Sequence, residues 1–388
     1  MIVGVAHLRM RPTPYSLLPT PYLLVGLAWL LLAGCSHKKA AEPILIGHPN
    51  PHTGAEQWIG DHETQGILLA VEEANQEGNG VAGRSVEVLH PDTGSDPGQW
   101  QPEVVRLLTV NKAAALLLGT GAEGLPGLSS EAQLYHAPLL TPGALPVGSE
   151  DDYVFVTGLT PVRQGQFLAQ FAAKKLKAAS VLVLAAGEKH SPRAAVRNSV
   201  LVDAFVKELG PKAGLPHFFQ STVGFKDLIS GQKPPPAAVL LAGSAEDLQE
   251  LLKAGLDEKI PILWGGEDGS LKAVQAVQPT NVVYLPTVFV TQGAGPRADA
   301  FVKKYQDRFQ ESPDVHAALA YDDARLLVDA MRQANSSEGP KVQPVLAGLK
   351  DYPSLTGPLS FRKDHVADRP LFLIRLQNGQ AETEKVTR

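Results

Sequence analysis

Residues 44–75, ILIGHPNPHTGAEQWIGDHETQGILLAVEEAN, contain the strongest structural pattern in the chain. They begin with a short apolar run that is typical of a buried strand, and a loop rich in glycine and proline follows. The next apolar residues, Ile67, Val71 and Ala74, have the spacing i, i+4, i+7, which predicts a helix that ends near Gly78. A strand, a loop and a helix in this order form half of a βαβ unit. Ligands of open parallel sheets bind at such loops.

The alternation of strands and helices continues along the chain. Apolar patterns predict further strands at 84–89, 113–118, 138–141, 153–156, 181–185, 217–220, 237–241 and 260–264. Helical patterns lie between most of these strands, and Asp96 followed by Pro97 is typical of a helix start. This order predicts an α/β protein with two Rossmann-like lobes, each built on a parallel sheet.

Several motifs together resemble one family, the periplasmic leucine/isoleucine/valine-binding proteins, which are type I solute receptors of ABC importers. They are Gly47, Thr53, Gly54 and Gly60 around the first loop, AVEEAN at 70–75, GVAGRSVEV at 80–88 and GPLSF at 357–361. The resemblance covers nearly the whole chain after residue 42. It implies two lobes that are joined by a three-crossover hinge and close on a small molecule.

The resemblance also implies which segments form each lobe. We expect residues 44–158 and 290–354 to form the N-terminal lobe, and residues 159–289 and 355–388 to form the C-terminal lobe. Within the last segment, residues 355–361 and 371–376 are predicted to pair as strands packed on the second lobe.

The first 34 residues have the features of a signal peptide. Arg9 and Arg11 precede an apolar stretch at 22–32 that is too short to span a bilayer, and the chain's single cysteine, Cys35, follows small residues. This arrangement resembles a bacterial lipoprotein signal. The resemblance implies that Cys35 is acylated and that residues 35–43 form a tether. It also implies a membrane-anchored protein of the cell envelope that faces the periplasm or exterior. The alternative is a transmembrane anchor with a chance cysteine.

Two loops of the first lobe supply candidate ligand contacts. Residues 119–124 read G-x-G-x-x-G, which alone would suggest dinucleotide binding, but they follow the third strand and contain Glu123. The resemblance instead implies that this loop holds a ligand carboxylate with backbone N–H groups. In the loop after the fourth strand, the resemblance implies a Thr or Ser that holds the ammonium and carboxylate groups of an amino acid. Leu145 occupies that position here, and the backbone C=O groups of Gly143 and Ala144 remain as contacts. The first-lobe candidates in these two loops are Gly121, Ala122, Gly143, Ala144 and Leu145.

Three further positions complete the predicted ligand site. Trp58 lies in the first loop, where an aromatic side chain either covers the core or contacts a ligand. Glu267 lies in a glycine-rich loop after a strand, where its carboxylate would bind a ligand ammonium group or remain solvated. Ser244 occupies a position where the resembling receptors often have tyrosine.

Other classes of function lack support in the sequence. The net charge is −5 without a basic cluster, which argues against a nucleic-acid partner. The spacing of His48, His52 and His62 matches no zinc motif, so neither a metal nor another cofactor is expected. No G-x-S-x-G motif or other nucleophile with its base is present, so we predict that the protein is not an enzyme.

Two functions remain. The first is an extracytoplasmic solute-binding lipoprotein that closes on a small polar ligand, a branched-chain or related amino acid, and delivers it to an ABC permease complex. The second is a ligand-sensing or scaffolding lipoprotein of the same fold with another ligand or none. Glu123, Leu145, Ser244 and Pro192 favour a changed ligand. Glu267 and Trp58 favour one that carries an amine.

Overall fold

A computed structural model describes residues 41–78, 80–119, 126–143, 153–267 and 271–386 of the chain. Residues 42–388 form one compact unit. The predictions for the signal peptide, Cys35 and the tether up to residue 40 lie outside the described residues, as do Gly121, Ala122, Ala144 and Leu145.

The described strands and helices alternate along most of the chain. The strands are β1 (Ile44–Gly47), β2 (Val86–Leu89), β3 (Ala115–Leu117), β4 (Leu139–Thr141), β5 (Val154–Val156), β6 (Val181–Ala186), β7 (His217–Phe219), β8 (Ala238–Ala242), β9 (Ile262–Trp264), β10 (Val283–Thr287), β11 (Tyr352–Ser354), β12 (Gly357–Phe361), β13 (Ala367–Asp368), β14 (Leu371–Gln377) and β15 (Gln380–Val386). The helices are α1 (Gln57–Gly78), α2 (Pro97–Thr109), α3 (Pro126–Leu134), α4 (Pro161–Lys174), α5 (Pro192–Leu209), α6 (Phe225–Gly231), α7 (Ala245–Lys253), α8 (Leu271–Ala276), α9 (Pro296–Phe309), α10 (Val315–Gln333) and α11 (Gly339–Ala347).

The first lobe is built on a five-stranded sheet in the order β2-β1-β3-β4-β5, and every neighbouring pair is parallel. Strands β3 and β5 are buried apolar runs, as expected for strands covered on both faces. The predicted start of α2 is confirmed, because Asp96 accepts a hydrogen bond from the Gly98 N–H at 2.8 Å and Pro97 is the first helical residue.

Two helices of the first lobe, α1 and α10, pack with their backbones in close approach. A Cβ atom on Gly66 would lie 2.1 Å from the carbonyl oxygen of Ala317, far inside van der Waals contact. Glycine therefore allows these helices to touch without a side chain between them.

The second lobe is built on a seven-stranded sheet in the order β15-β14-β10-β9-β8-β6-β7. The strands from β10 to β7 are parallel, whereas β14 and β15 are added antiparallel at one edge. Strands β10 and β15 were missed by the sequence reasoning. Two lobes with largely parallel sheets confirm the predicted α/β fold class.

The predicted pairing of residues 355–361 with residues 371–376 is wrong. Strand β12 pairs instead with β11 and β13 in a separate three-stranded antiparallel sheet, while β14 pairs with β10 and β15. Leu359 and Phe361 on β12 pack in the same core as Ile46 and Phe155 of the first sheet. Residues 357–368 therefore pack with the first lobe rather than the second, and the other lobe boundaries stay a prediction.

Among the described residues, no helix combines the length and the apolar composition that a membrane-spanning segment needs.

Candidate functional site

A cavity of about 970 Å³ lies between residues of the two lobes. The first lobe contributes Trp58, Ile59 and residues 312–316. The second lobe contributes residues at the ends of β6, β8 and β9. Carboxyl ends of parallel strands are the usual place for ligands in open α/β sheets, and the volume suits a small molecule.

Trp58 is the second residue of α1 rather than part of the preceding loop, because the helix already begins at Gln57. Its side chain is 49% exposed and lines the cavity, which disfavours the alternative of a cover over the core. The indole ring meets the rings of His316 and His62 edge to face, with centroid distances of 5.4 and 6.1 Å. These contacts hold an aromatic surface at the first-lobe side of the cavity.

An ion pair lies beside this aromatic group. His62 Nδ1 is 2.7 Å from Asp314 Oδ2, and the hydrogen bond to this carboxylate raises the pKa of His62. Burial alone would raise the pKa of Asp314, but the hydrogen bond from His62 and the nearby charges lower it. Asp314 also accepts a hydrogen bond from the Ala317 N–H at 3.0 Å and so caps α10. This carboxylate thus orients both the helix and the histidine beside Trp58.

Glu267 is exposed and lines the cavity from the second lobe. It follows Gly265 and Gly266, whose carbonyl oxygens accept hydrogen bonds from Arg197 at 2.8 and 2.7 Å. Gln164, which is buried, donates to the Gly266 carbonyl at 2.9 Å. Arg197 on α5 and Gln164 on α4 therefore fix the backbone that carries Glu267. Sequence reasoning missed both residues, since neither belongs to a recognisable motif.

Ser244 also lines the cavity, but it has a structural role as well. Its hydroxyl oxygen accepts a hydrogen bond from the Asp247 N–H at 3.3 Å, and Asp247 Oδ2 accepts from the Ser244 N–H at 2.8 Å. This reciprocal capping box begins α7. The other Asp247 oxygen lies 2.7 Å from His190 Nε2, which brings His190 to the cavity wall as a further residue that the sequence did not indicate.

Gly143 is not among the described residues that line the cavity. It is buried, and its N–H donates to Thr141 Oγ1 at 3.1 Å at the end of β4. The structure thus brings Trp58, Ser244 and Glu267 together around one cavity and leaves Gly143 outside its described lining.

A histidine pair lies near the ends of β1 and β2. His48 Nδ1 and His90 Nδ1 are 2.9 Å apart, so one ring donates and the other accepts. Burial lowers the pKa of each ring to about 3, which keeps both neutral. In the part of the chain that the structure describes, no group of three or more metal-ligating side chains is arranged to hold a metal ion.

Comparison with known proteins places this two-lobe arrangement in a family. The sequence model described as "Periplasmic binding protein" matches residues 43–381. The chain belongs to the periplasmic binding protein family. The resemblance to its leucine/isoleucine/valine-binding members is confirmed, and so is the predicted solute-binding, non-enzymatic function. Membership of this family also implies an extracytoplasmic location.

Several relatives of this periplasmic binding protein cover most of its length. The Leu/Ile/Val-binding protein homolog 7 of Brucella suis is 24% identical, over 82% of this chain and 84% of the relative. The leucine-, isoleucine-, valine-, threonine- and alanine-binding protein of Pseudomonas aeruginosa is also 24% identical, over 86% of this chain and 90% of the relative.

Solved structures share the fold. A branched-chain amino acid transporter substrate-binding protein from Streptococcus pneumoniae, in complex with isoleucine, has a TM-score of 0.73 at 24% identity, covering 89% of this chain and 100% of its own. A solute-binding protein of an ABC transporter from R. palustris, in complex with benzoate, has a TM-score of 0.69 at 18% identity. The match covers 89% of this chain and 98% of that protein. The same fold therefore holds chemically different ligands.

Proposed function

We propose that the protein binds a small amine-bearing ligand, a branched-chain or related amino acid, in the cavity between its lobes and delivers it to an ABC permease complex. The arrangement of Glu267 supports this proposal most directly. Its carboxylate lines the cavity from a loop, and Arg197 and Gln164 hold the backbone of that loop by hydrogen bonds. Trp58 lines the cavity from the other lobe. A carboxylate on a fixed loop suits an ammonium group, and an indole surface suits an apolar side chain.

The names of the relatives agree with an amino-acid ligand. Those from Brucella and Pseudomonas carry leucine, isoleucine and valine in their names, and the structure from Streptococcus contains isoleucine. The benzoate complex is the reason to include other ligands in the test. We further propose that Trp58, Ser244 and Glu267 contact the ligand, together with Gly121, Ala122, Gly143, Ala144 and Leu145 from the first-lobe loops.

A thermal-shift screen tests the ligand class. Residues 42–388, which form a compact unit, would be heated with single amino acids, amides, short peptides, purines and benzoate. A ligand at 100 times its Kd stabilises the folded state by about 2.7 kcal/mol, which gives a clear rise in Tm. A rise with leucine, isoleucine or valine supports the proposal. A rise with other compounds alone overturns the amino-acid assignment.

Glu267→Gln should weaken binding of an amine-bearing hit from this screen by about 1.5–3 kcal/mol, because it removes the charge from a hydrogen bond to the ammonium group. Isothermal titration calorimetry on wild type and variant measures the difference. Glu258→Gln is the matched control, since Glu258 is an exposed acid of the second lobe outside the cavity lining. Equal affinities of wild type and Glu267→Gln would show that Glu267 does not bind the ammonium group.

We also propose that Cys35 is acylated and anchors the mature protein to a membrane, with residues 35–43 as the tether. The support is the sequence alone: a basic start, a short apolar stretch and a cysteine after small residues. Two or three acyl chains would hold the protein firmly at a membrane surface, because each buried CH₂ contributes about 0.8 kcal/mol.

Cys35→Ala should abolish acylation. Cells that express wild type or variant would be labelled with radioactive palmitate, and the protein would be isolated and counted. We expect label on wild type and none on the variant. Label that persists on Cys35→Ala would rule out Cys35 as the attachment site.

A second candidate function is a ligand-sensing or scaffolding lipoprotein of the same fold. Glu123 and Leu145 favour it. The resemblance implies Ser at the position of Glu123, whose carboxylate would repel an anionic ligand group. It implies Thr or Ser at the position of Leu145, which offers only an apolar surface. The absence of any hit in the thermal-shift screen would favour this alternative.

A further inference from the structure

The two lobes are joined by chain segments that cross between the sheets. Residues 157–160 lead from β5 to α4, and residues 369–370 lead from β13 to β14. Another segment leaves β10 and continues to α9. The first two of these crossings meet at a group of buried polar side chains next to helix α10.

Arg369, in the last crossing, is the centre of this group and is only 1% exposed. Its Nη2 donates to Asp322 Oδ2 on α10 at 2.7 Å and to Thr356 Oγ1 at 3.2 Å. Its Nη1 lies 3.4 Å from the carbonyl oxygen of Thr157 in the first crossing. Arg163 on α4 donates to the carbonyl oxygen of Arg369 itself. One arginine therefore connects both crossings and helices of both lobes.

The neighbouring carboxyl group of Asp323 contacts the hydroxyl group of Thr157, which has two acceptors within hydrogen-bond distance. Thr157 Oγ1 lies 3.1 Å from the Thr141 carbonyl oxygen and 3.0 Å from Asp323 Oδ2. A hydroxyl group has a single hydrogen, so it cannot donate to two acceptors at once. If Asp323 carries a proton, it donates to Thr157, Thr157 donates to Thr141, and both contacts are hydrogen bonds.

The surroundings of Asp323 favour the protonated form. Asp323 is buried, and its Oδ1 has no hydrogen-bond partner among the described residues, which would be costly for a carboxylate. The charged groups that face it are Asp322 on the same helix, Glu63 on α1 and Arg369. All effects together raise the pKa of Asp323 to about 8, and burial is the largest of them. The hydrogen bond to Thr157 and the charge of Arg369 lower this pKa, whereas the two acids raise it.

We propose that Asp323 is a protonated hydrogen-bond donor that holds the first crossing through Thr157, and that this bond and the Asp322–Arg369 pair together set the angle between the lobes. The two adjacent aspartates of α10 thus have different charges and different tasks. Asp322 is ionised and holds the last crossing through Arg369, while Asp323 is neutral and holds the first. Loss of its proton would place a second negative charge beside Asp322 and leave one contact of Thr157 without a hydrogen.

Infrared difference spectroscopy detects the proton directly. Spectra of residues 42–388 would be recorded for wild type and Asp323→Asn. At about pH 6, two units below the pKa, the difference should contain the C=O band of a protonated carboxyl group, and this band should disappear as the pH is raised through about 8. Asp203→Asn, at an exposed position on α5, is the matched control and should give no such band. Absence of the band for Asp323 would overturn the proposal.

Stability gives a second measurement with a definite sign. The pKa of Asp323 in the folded protein lies above its ordinary value of 3.8, so the folded state binds the proton more tightly than the unfolded chain does. The contribution of Asp323 to the stability of the fold is therefore fully present below pH 3.8, its ordinary pKa, and is lost as the pH rises through about 8. Asp323→Asn has no such titration. The Tm of wild type should thus fall relative to that of the variant over this range, and a constant difference would contradict the proposal.

The lobe angle is tested with two spin labels. Val110 and Leu215 are highly exposed, one on each lobe, and residues 42–388 contain no native cysteine, so Val110→Cys and Leu215→Cys provide the attachment sites. Between about pH 6 and about pH 10 the distance distribution should change in wild type and stay constant in Asp323→Asn, whose amide still donates to Thr157. A distribution that is independent of pH in wild type would overturn the link to the lobe angle.

Thr157→Val provides an independent variant in case Asp323→Asn does not fold. It removes the hydroxyl group but retains the shape of the side chain. Its distance distribution at about pH 6 should differ from that of wild type at the same pH, because the variant lacks the hydroxyl group that bonds to Asp323. A distribution like that of wild type at about pH 6 would show that this bond does not position the first crossing.

Discussion

Arg369→Met should lower the free energy of unfolding by about 3–5 kcal/mol, the usual loss when one partner of a buried ion pair is removed. The arginine and its partner Asp322 are 1% and 5% exposed, so the remaining carboxylate would lie in the interior without its cation. Burial already raises the pKa of Asp322, and the arginine lowers it. The variant must therefore either bury a charge or take up a proton on folding. Urea denaturation of residues 42–388 measures the loss.

A nearby surface pair is the control for this prediction. Arg362 and Asp364 are 50% and 54% exposed, and Arg362 Nη2 lies 2.8 Å from Asp364 Oδ2. Because water screens such a pair, Arg362→Met should cost no more than about 1 kcal/mol. Similar losses in the two variants would show that the Arg369 pair contributes nothing beyond a surface contact.

Phe361→Ala should destabilise the protein by about 3–5 kcal/mol, since it removes a fully buried aromatic side chain and leaves a cavity. Phe361 packs against Phe155 of β5 with a centroid distance of 5.0 Å. The effect should therefore concentrate in the first lobe. Hydrogen exchange, read peptide by peptide, should show the greatest loss of protection in β5 and little in β14.

The same experiment tests the corrected position of β12. A loss of protection mainly in β14 would restore the expectation that residues 355–361 pack on the second lobe. Phe218→Ala is the control, because Phe218 is 39% exposed on the edge strand β7 and its removal should cause a clearly smaller loss of stability.

The elements of the fold were largely predictable from the sequence, whereas the pairing of the last strands was not. Ala115–Leu117 and Val154–Val156 were recognised because strands buried on both faces are continuous apolar runs. The apolar residues of β12 and β14 identified strands equally well. They could not identify partners, because alternation specifies which face is buried but not which strand lies alongside. This is why β12 was paired with β14 instead of with β11 and β13.

The candidate site shows a similar division. Trp58, Ser244 and Glu267 were found because they lie near strand ends, where the fold places ligands. Arg197 and Gln164 were missed, since they lie within helices and act on the backbone carbonyls of a glycine loop. A backbone carbonyl oxygen accepts a hydrogen bond whatever the side chain of its residue is. Such a bond therefore leaves no pattern in the sequence.

The antiparallel edge of the second sheet has a consequence for the order of folding. Strand β10 pairs with β9, which lies shortly before it in the sequence, and with β14, which lies beyond residue 370. The intervening residues build part of the first lobe. The second sheet therefore cannot be completed until residues 371–377 are available to pair with β10. Contacts so distant in sequence form slowly, and until they form, the apolar edge of β10 is exposed to other chains.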